Sequence, residues 1–199
     1  MQKIIIVGIG QGGIVAAEKL AKFDYDIEVF EQRQKDELTY DWHDDVAKSI
    51  FARADIPLPD SEHYFEKKDW TFYAACSNIP FRINQDKDKL DYSMERRPFI
   101  NMLIDRVPKK VKIHYGAKVE GLYIEDEKVK GIIYNGKKIE ADLVIDSSGA
   151  KSVLRRNLPY TYRIQAQAAV GELFYAYRAF YEGNKVEQED IDTNKVYLK

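Results

Sequence analysis

Near the N-terminus, in IIIVGIGQGG, Gly8, Gly10, Gly12 and Gly13 enclose only Ile9 and Gln11. The spacing reads G-x-G-x-x-G: the first glycine permits a tight turn, the second lets main chain approach a pyrophosphate, and the third lets a helix pack closely on a strand. A helix beginning at this turn would point its first amides and the positive end of its dipole at the same spot, which is chemistry for binding phosphate. Glu31 follows about 20 residues beyond the turn, where a carboxylate can accept hydrogen bonds from both hydroxyls of an adenosine ribose. It would repel a 2′-phosphate, an effect softened by Arg33. These residues, Gly8, Ile9, Gly10, Gln11, Gly12, Gly13, Glu31, Gln32 and Arg33, therefore predict a site for an ADP-containing dinucleotide.

The elements needed to hold that site are legible around it. Residues 3–7, Lys-Ile-Ile-Ile-Val, have the β-branched density of a strand buried on both faces in a parallel sheet. From Gly12 to Phe23 the period changes. Gly13, Ala17, Leu20 and Ala21 share one helical face, with Glu18, Lys19 and Lys22 outward. Residues 26–30 predict a second strand that delivers Glu31. A glycine turn alone also joins strand to helix with no ligand; the acid at the end of the second strand favours the binding reading.

Composition limits the alternatives. The 199 residues, 45% hydrophobic and 13% aromatic, can bury a core, which predicts one domain or one and a fraction. A net charge of -2 without a basic block excludes the electrostatic footprint of a nucleic-acid binder. No apolar run approaches the ~18 residues of a transmembrane span, and the N-terminus lacks a signal-peptide pattern. Cys76, the single cysteine, excludes an internal disulfide or a thiolate metal cluster and fits a reducing compartment, so a cytoplasmic location is expected.

After Arg33 the pattern stops alternating. Residues 34–94 are polar and aromatic, with prolines at 57, 59 and 80, and predict an irregular insertion. A helix follows near Pro98, with Phe99, Leu103 and Val107 on one face. Short strands are expected at 111–115, 118–125, 128–134 and 137–140, the last two joined by the hairpin turn Asn135-Gly136. They form a β-meander near 111–141 ahead of a last buried strand at 142–145. Residues 172–181 and 195–198 read as strands that begin a further sheet, whose unpaired, Tyr- and Phe-rich edge would be sticky.

With the glycine turn, Glu31 and Arg33, the stretches ERRPFINMLIDRV (95–107) and ADLVIDSSGAKSVLRR (141–156) resemble the FAD-dependent oxidoreductase superfamily that contains geranylgeranyl reductase, para-hydroxybenzoate hydroxylase and the lycopene cyclases. The resemblance spans nearly the whole chain. It implies an α/β fold: a Rossmann-like FAD-binding domain (1–156) with a parallel sheet and inserted antiparallel β-meander, then the beginning of an incomplete mixed substrate-domain sheet (157–199). It further implies that the glycine turn and Glu31 hold the ADP half of FAD, and that Arg96, or else Arg97, comes near the phosphate and ribityl region. The meander would set main chain beside the adenine at or near Val119, and the 146–149 turn would bring Ser148 and Gly149 to the cofactor.

In hydroxylases of the superfamily that turn carries Ala-Asp-Gly; here Ser148 replaces the Asp, a form closer to the reductases' Asp-Ala-Ser-Gly, which counts against hydroxylation. Ser152 and Arg155 continue the pattern, or simply cap and solvate a helix start. Family members continue into a substrate sheet and a Gly-Asp turn beside the flavin. The chain reaches Lys199 without that turn, so an N-terminal portion of a longer flavoprotein, or completion by another chain or a homo-oligomer, is expected.

The function implied is that of an FAD-dependent oxidoreductase, or its FAD-binding portion, passing hydride through the flavin, with NAD(P)H a candidate electron donor and a small, apolar molecule a candidate substrate. A NAD(P)-dependent dehydrogenase shares the first βαβ unit, but the long insertion argues against it. A non-redox nucleotide-binding module is the other alternative. No acid or base is assigned, and no metal: His43, in YDWHDD, has no second histidine at ligand spacing and is expected in a surface loop or as a packing histidine. His63 is expected in a polar loop, His114 in a strand and Cys76 as a buried filler. Tyr160, Tyr162, Phe174, Tyr175, Tyr177, Phe180 and Tyr181 could wall an apolar cavity, with ordinary sheet packing the favoured reading.

Overall fold

The computed structural model describes residues 1–67, 69–74, 79–84, 91–173 and 195–198. In chain order the elements are β1 (Gln2–Val7), α1 (Gln11–Leu20), β2 (Tyr25–Phe30), β3 (His43–Ala47), α2 (Ser49–Ala54), β4 (Tyr64–Glu66), β5 (Asp69–Ala74), β6 (Pro80–Asn84) and β7 (Asp91–Glu95). Then come α3 (Arg96–Asp105), β8 (Lys112–His114), β9 (Val119–Glu125), β10 (Lys128–Tyr134), β11 (Lys137–Glu140), β12 (Leu143–Asp146), α4 (Val153–Asn157) and β13 (Lys195–Leu198). The chain forms two compact units. One contains Met1–Tyr40 and, from Ile100 on, β8 to β12 and α4; the other contains Asp41–Phe99 and β13. Among the described residues no helix is long and apolar enough to cross a membrane.

The first unit is the predicted α/β architecture. A parallel sheet has the order β12-β1-β2-β8, and β1 lies at its centre, with Ile4, Ile5, Ile6 and Val7 all buried. That accounts for the unbroken β-branched run: a strand with neighbours on both edges and cover on both faces has no solvent side to make polar. The meander β9–β10–β11 is antiparallel, and its predicted turn is present, with Asn135 and Gly136 both at positive φ (49° and 66°), the geometry a two-residue hairpin needs. Ile5, Val7 and Phe30 of the parallel sheet, Val119, Leu122 and Ile132 of the meander, and Leu154 of α4 close one shared core.

Three expectations about this unit change. Residues 112–114 do not belong to the meander: β8 pairs in parallel with Glu28–Phe30 of β2 as the fourth strand of the main sheet. The chain then turns at Gly116, whose φ is +66°. Strand assignment here depends on a partner more than 80 positions earlier (|i−j| = 86 between His114 and Glu28), which no local pattern encodes. The strand expected to be buried at 142–145 is β12, at the edge of this sheet among the described residues, where it pairs with β1, and Leu143 is 49% exposed. Of the strand expected at 172–181 only 172 and 173 are described, and Glu172 ends a 3-10 turn, Val170–Glu172; Tyr160–Tyr162 form another.

The second unit corrects the expectation of irregular structure at 34–94. A three-stranded antiparallel sheet has the order β3-β7-β4, and a mixed sheet has the order β13-β5-β6, with β13 parallel and β6 antiparallel to β5. Strands as polar as HDDVA and DYSME carry little β-propensity, and β3 meets β7 across a long interval, so no hairpin turn marks the pair. Phe51 of α2 packs near Tyr92 and Phe99, with ring centroids 6.0 and 6.1 Å away, and Met94 is wholly buried.

Candidate functional site

The candidate site is built in the first unit where β1, β2 and β12 end together. Gly8, at φ +95°, turns the chain out of β1, and its amide donates to Phe30 O at 2.8 Å. A Cβ on Gly8 would lie 2.5 Å from Ser147 O, and one on Gly13 would lie 2.1 Å from Gly8 O, so both glycines are required by the protein's own close packing. Gly10 differs. It is the exposed N-cap of α1, at φ −65° and ψ 178°, and a Cβ there would meet nothing within 4 Å. No side chain caps α1, and its first turn carries no acidic residue, so its first amides and the positive end of the dipole are left to an incoming anion.

Glu31 closes the other side. Its carboxylate is buried and accepts hydrogen bonds from the amides of Ile9 and Arg33, each at 2.9 Å. The acid is thereby tied directly to the glycine turn, a contact between positions 22 residues apart. Its main chain bonds to the segment after β8: Glu31 N donates to His114 O at 2.9 Å, Ala117 N donates to Glu31 O at 2.7 Å, and Gly116 N donates to Arg33 O at 3.0 Å. Tyr115 follows His114 in this segment, and burial, with the charges of Asp105 and then Glu31, pushes its phenol above the ordinary range.

The third wall is the loop after β12. Asp146 accepts from Ser148 N and Ser148 Oγ, at 3.1 and 2.6 Å, and from Ser152 Oγ. Ser152 Oγ in turn accepts from Arg155 N at 3.0 Å, capping α4 as the sequence suggested, while the Arg155 guanidinium donates to Ala150 O and Ala166 O at 2.7 and 3.1 Å. Ser147 N donates to Val7 O at 2.8 Å, which seats Ser147 against the glycine turn.

Most residues predicted for the site therefore converge. Gly8 to Gly13, with Ile9 buried and Gln11 exposed, form one side; Glu31 forms another, flanked by the exposed Gln32 and Arg33. Gly149, at φ +82°, lies in the β12 loop with Ser148. Val119 is buried in the core below the meander, and its main chain pairs with Tyr134. Arg96 belongs to the second unit, where its guanidinium donates to Asp44 through Nε (2.8 Å) and Nη2 and lies 5.8 Å over the Trp42 ring; Arg97 donates to Asp41 at 3.1 Å. The structure adds Tyr115 and Ser147 to the corner. Both lay in stretches already singled out, but nothing local distinguishes Ser147 from Ser148.

The three histidines lie in separate places. Of the two expectations for His43, surface loop or packing histidine, the structure has the second: it is a half-buried residue of β3 with Nδ1 3.3 Å from Ser93 Oγ. His63 ends the 3-10 turn Ser61–His63, 3.7 Å from Glu95. His114 stacks on Phe30 with centroids 4.6 Å apart and bonds Glu28 at 2.8 Å. Cys76 and the aromatic positions 174, 175, 177, 180 and 181 lie outside the described residues.

No protein-family model matches the sequence. Over 215 aligned residues it is 26% identical to the FAD-dependent monooxygenase thnD of Trichoderma harzianum, covering 98% of this chain and 52% of that protein. It is 26% identical to the FAD-dependent monooxygenase dpasE of Apiospora sacchari, covering 78% and 35%. Among solved structures, a geranylgeranyl bacteriochlorophyll reductase-like protein from Thermoplasma acidophilum superposes with a TM-score of 0.63 at 24% identity, covering 78% of this chain and 41% of that one. PqsL of Pseudomonas aeruginosa, described as a probable FAD-dependent monooxygenase, gives 0.63 at 15% identity, covering 82% and 46%.

The chain is similar to FAD-dependent oxidoreductases. Its fold is theirs, as the motifs implied, and it spans about half the length, or less, of the relatives it matches.

Proposed function

We propose that this chain is the FAD-binding portion of an FAD-dependent oxidoreductase. The glycine turn and the start of α1 receive the pyrophosphate, and Glu31 accepts the adenosine ribose hydroxyls. The observation that carries this reading is the contrast among the glycines: Gly8 and Gly13 are explained by the protein's own packing, whereas Gly10 faces open space next to a carboxylate held by main-chain amides. A residue with ordinary φ and nothing above it has no internal reason to be glycine, and close approach of a ligand supplies one.

The residues present fit the group. Gln32 and Arg33 flank the ribose side; the β12 loop with Ser148 and Gly149 forms the facing wall; and Val119 main chain neighbours the adenine. Bound flavin supplies the redox step, passing hydride, and the chain's own part is to bind and orient it. The relatives are named monooxygenases, while Asp146-Ser147-Ser148-Gly149 has the reductase-like form; both belong to the same oxidoreductase reading. The mixed sheet of β5, β6 and β13 begins the substrate-binding region, for a small and apolar molecule, and a cytoplasmic location and NAD(P)H as donor complete the proposal.

The test is the absorbance spectrum of the purified protein, alone and after addition of FAD. Bands near ~370 and ~450 nm that stay with the protein through gel filtration support the reading. A protein that stays colourless with FAD present and binds NAD instead would overturn it.

A further inference from the structure

The loop after β12 offers two adjacent hydroxyls, and the structure uses them differently. Ser148 Oγ donates to Asp146 at 2.6 Å and is consumed inside the loop. Ser147 Oγ has no hydrogen-bond partner among the described residues, although Ser147 is half-buried. Its side chain lies over the start of α1: Ser147 Oγ is 3.3 Å from where a Cβ on Gly12 would sit, and Ser147 Cβ is 3.2 Å from that of Gly13. Its position is rigid, because Ser147 N is bonded to Val7 O and Ser147 O packs against Gly8.

A hydroxyl held in place, without an internal partner, at the exposed end of a helix dipole is oriented for an anionic oxygen. Resting on the FAD reading above, we infer that Ser147 is a direct hydrogen-bond donor to the pyrophosphate, and that Ser148 acts on the loop through Asp146 rather than on the ligand. Asp146 is then a positioning residue: by taking both Ser148 groups and Ser152 Oγ it fixes the turn that aims Ser147 toward α1.

The experiment compares ADP and adenosine binding to the full chain and to Ser147→Ala, by calorimetric titration. Alanine keeps the Cβ that packs on Gly13, so the fold is expected to survive; an unchanged circular dichroism spectrum checks this. ADP affinity should fall about ten-fold, the scale of one hydrogen bond to a charged group, with adenosine affinity unchanged. Equal ADP affinity in the two proteins would overturn the inference, as would an equal loss for adenosine, which would mean a loosened corner. If the parent chain binds neither FAD nor ADP, the underlying FAD reading fails as well, so the two failures are distinguishable.

Discussion

At the end of β2, Glu31 accepts hydrogen bonds from two main-chain amides, whereas in the sheet of β3, β7 and β4 two acids face cations: Asp44 bonds to the Arg96 guanidinium, and Asp45 Oδ1 lies 2.8 Å from Lys67 Nζ. Lys67 is buried, so its pair with Asp45 offsets part of the desolvation of both ions. The Ile9 and Arg33 main-chain amides each take one lone pair of Glu31. Its oxygens keep acceptor capacity for donors arriving from outside, such as sugar hydroxyls. How an acid is satisfied thus separates a binding group from a structural one more sharply than its residue type does.

The largest effects should come from the glycines that frame Glu31. Gly13→Val drives side chain into Gly8 O and should cost about 3 kcal/mol or more in urea denaturation. Gly10→Val should leave stability within about 1 kcal/mol, since valine tolerates its backbone angles, yet abolish FAD binding. If both variants lose stability alike, Gly10 is structural and the contrast collapses. In the other unit, Lys67→Met should lose about 3 kcal/mol by leaving Asp45 without its counter-ion, and adding Asp45→Asn should restore part of it. Thermal melts of the single and double variants check this.

Glu31→Ala should weaken FAD and ADP binding about ten-fold, read by titration, through loss of the ribose contacts; unchanged affinity would place Glu31 with the structural acids. The smallest effect concerns Glu28, within β2. Burial raises its carboxyl pKa, but the bonds to Lys3 and His114 and the charges of Lys3 and Lys112 outweigh burial and hold it below 4.5. Because the folded value is the lower one, its contribution is present above about pH 4.5 and is lost as pH falls through the folded pKa. Glu28→Gln should therefore flatten the acid limb of a stability-against-pH curve and leave nucleotide affinity unaltered.

Much of the first unit was legible because its signals are local. The β-branched run of β1, the glycine turn, the helical face of α1 and the Asn135-Gly136 hairpin each lie within a few consecutive residues. β8 was misassigned and the strands of the second unit missed because their partners are far away in sequence. Polar strands such as β3 declare themselves only once β7 is beside them. Motif position points Arg96 at the cofactor, whereas its bond to Asp44 spans 52 positions that no spacing rule connects.

The amino-acid sequence alone determined the chemical inventory of the corner: bare main chain at a helix start, an acid at the end of the next strand, and a Ser-Ser-Gly turn to meet them. Only the tertiary structure decided which glycine is open and which is packed, and which serine is spent on Asp146. The reason is physical. Hydrogen-bond partners and close contacts are fixed by distance and direction in three dimensions, and Gly12 meets Ser147 only after β12 has paired beside β1.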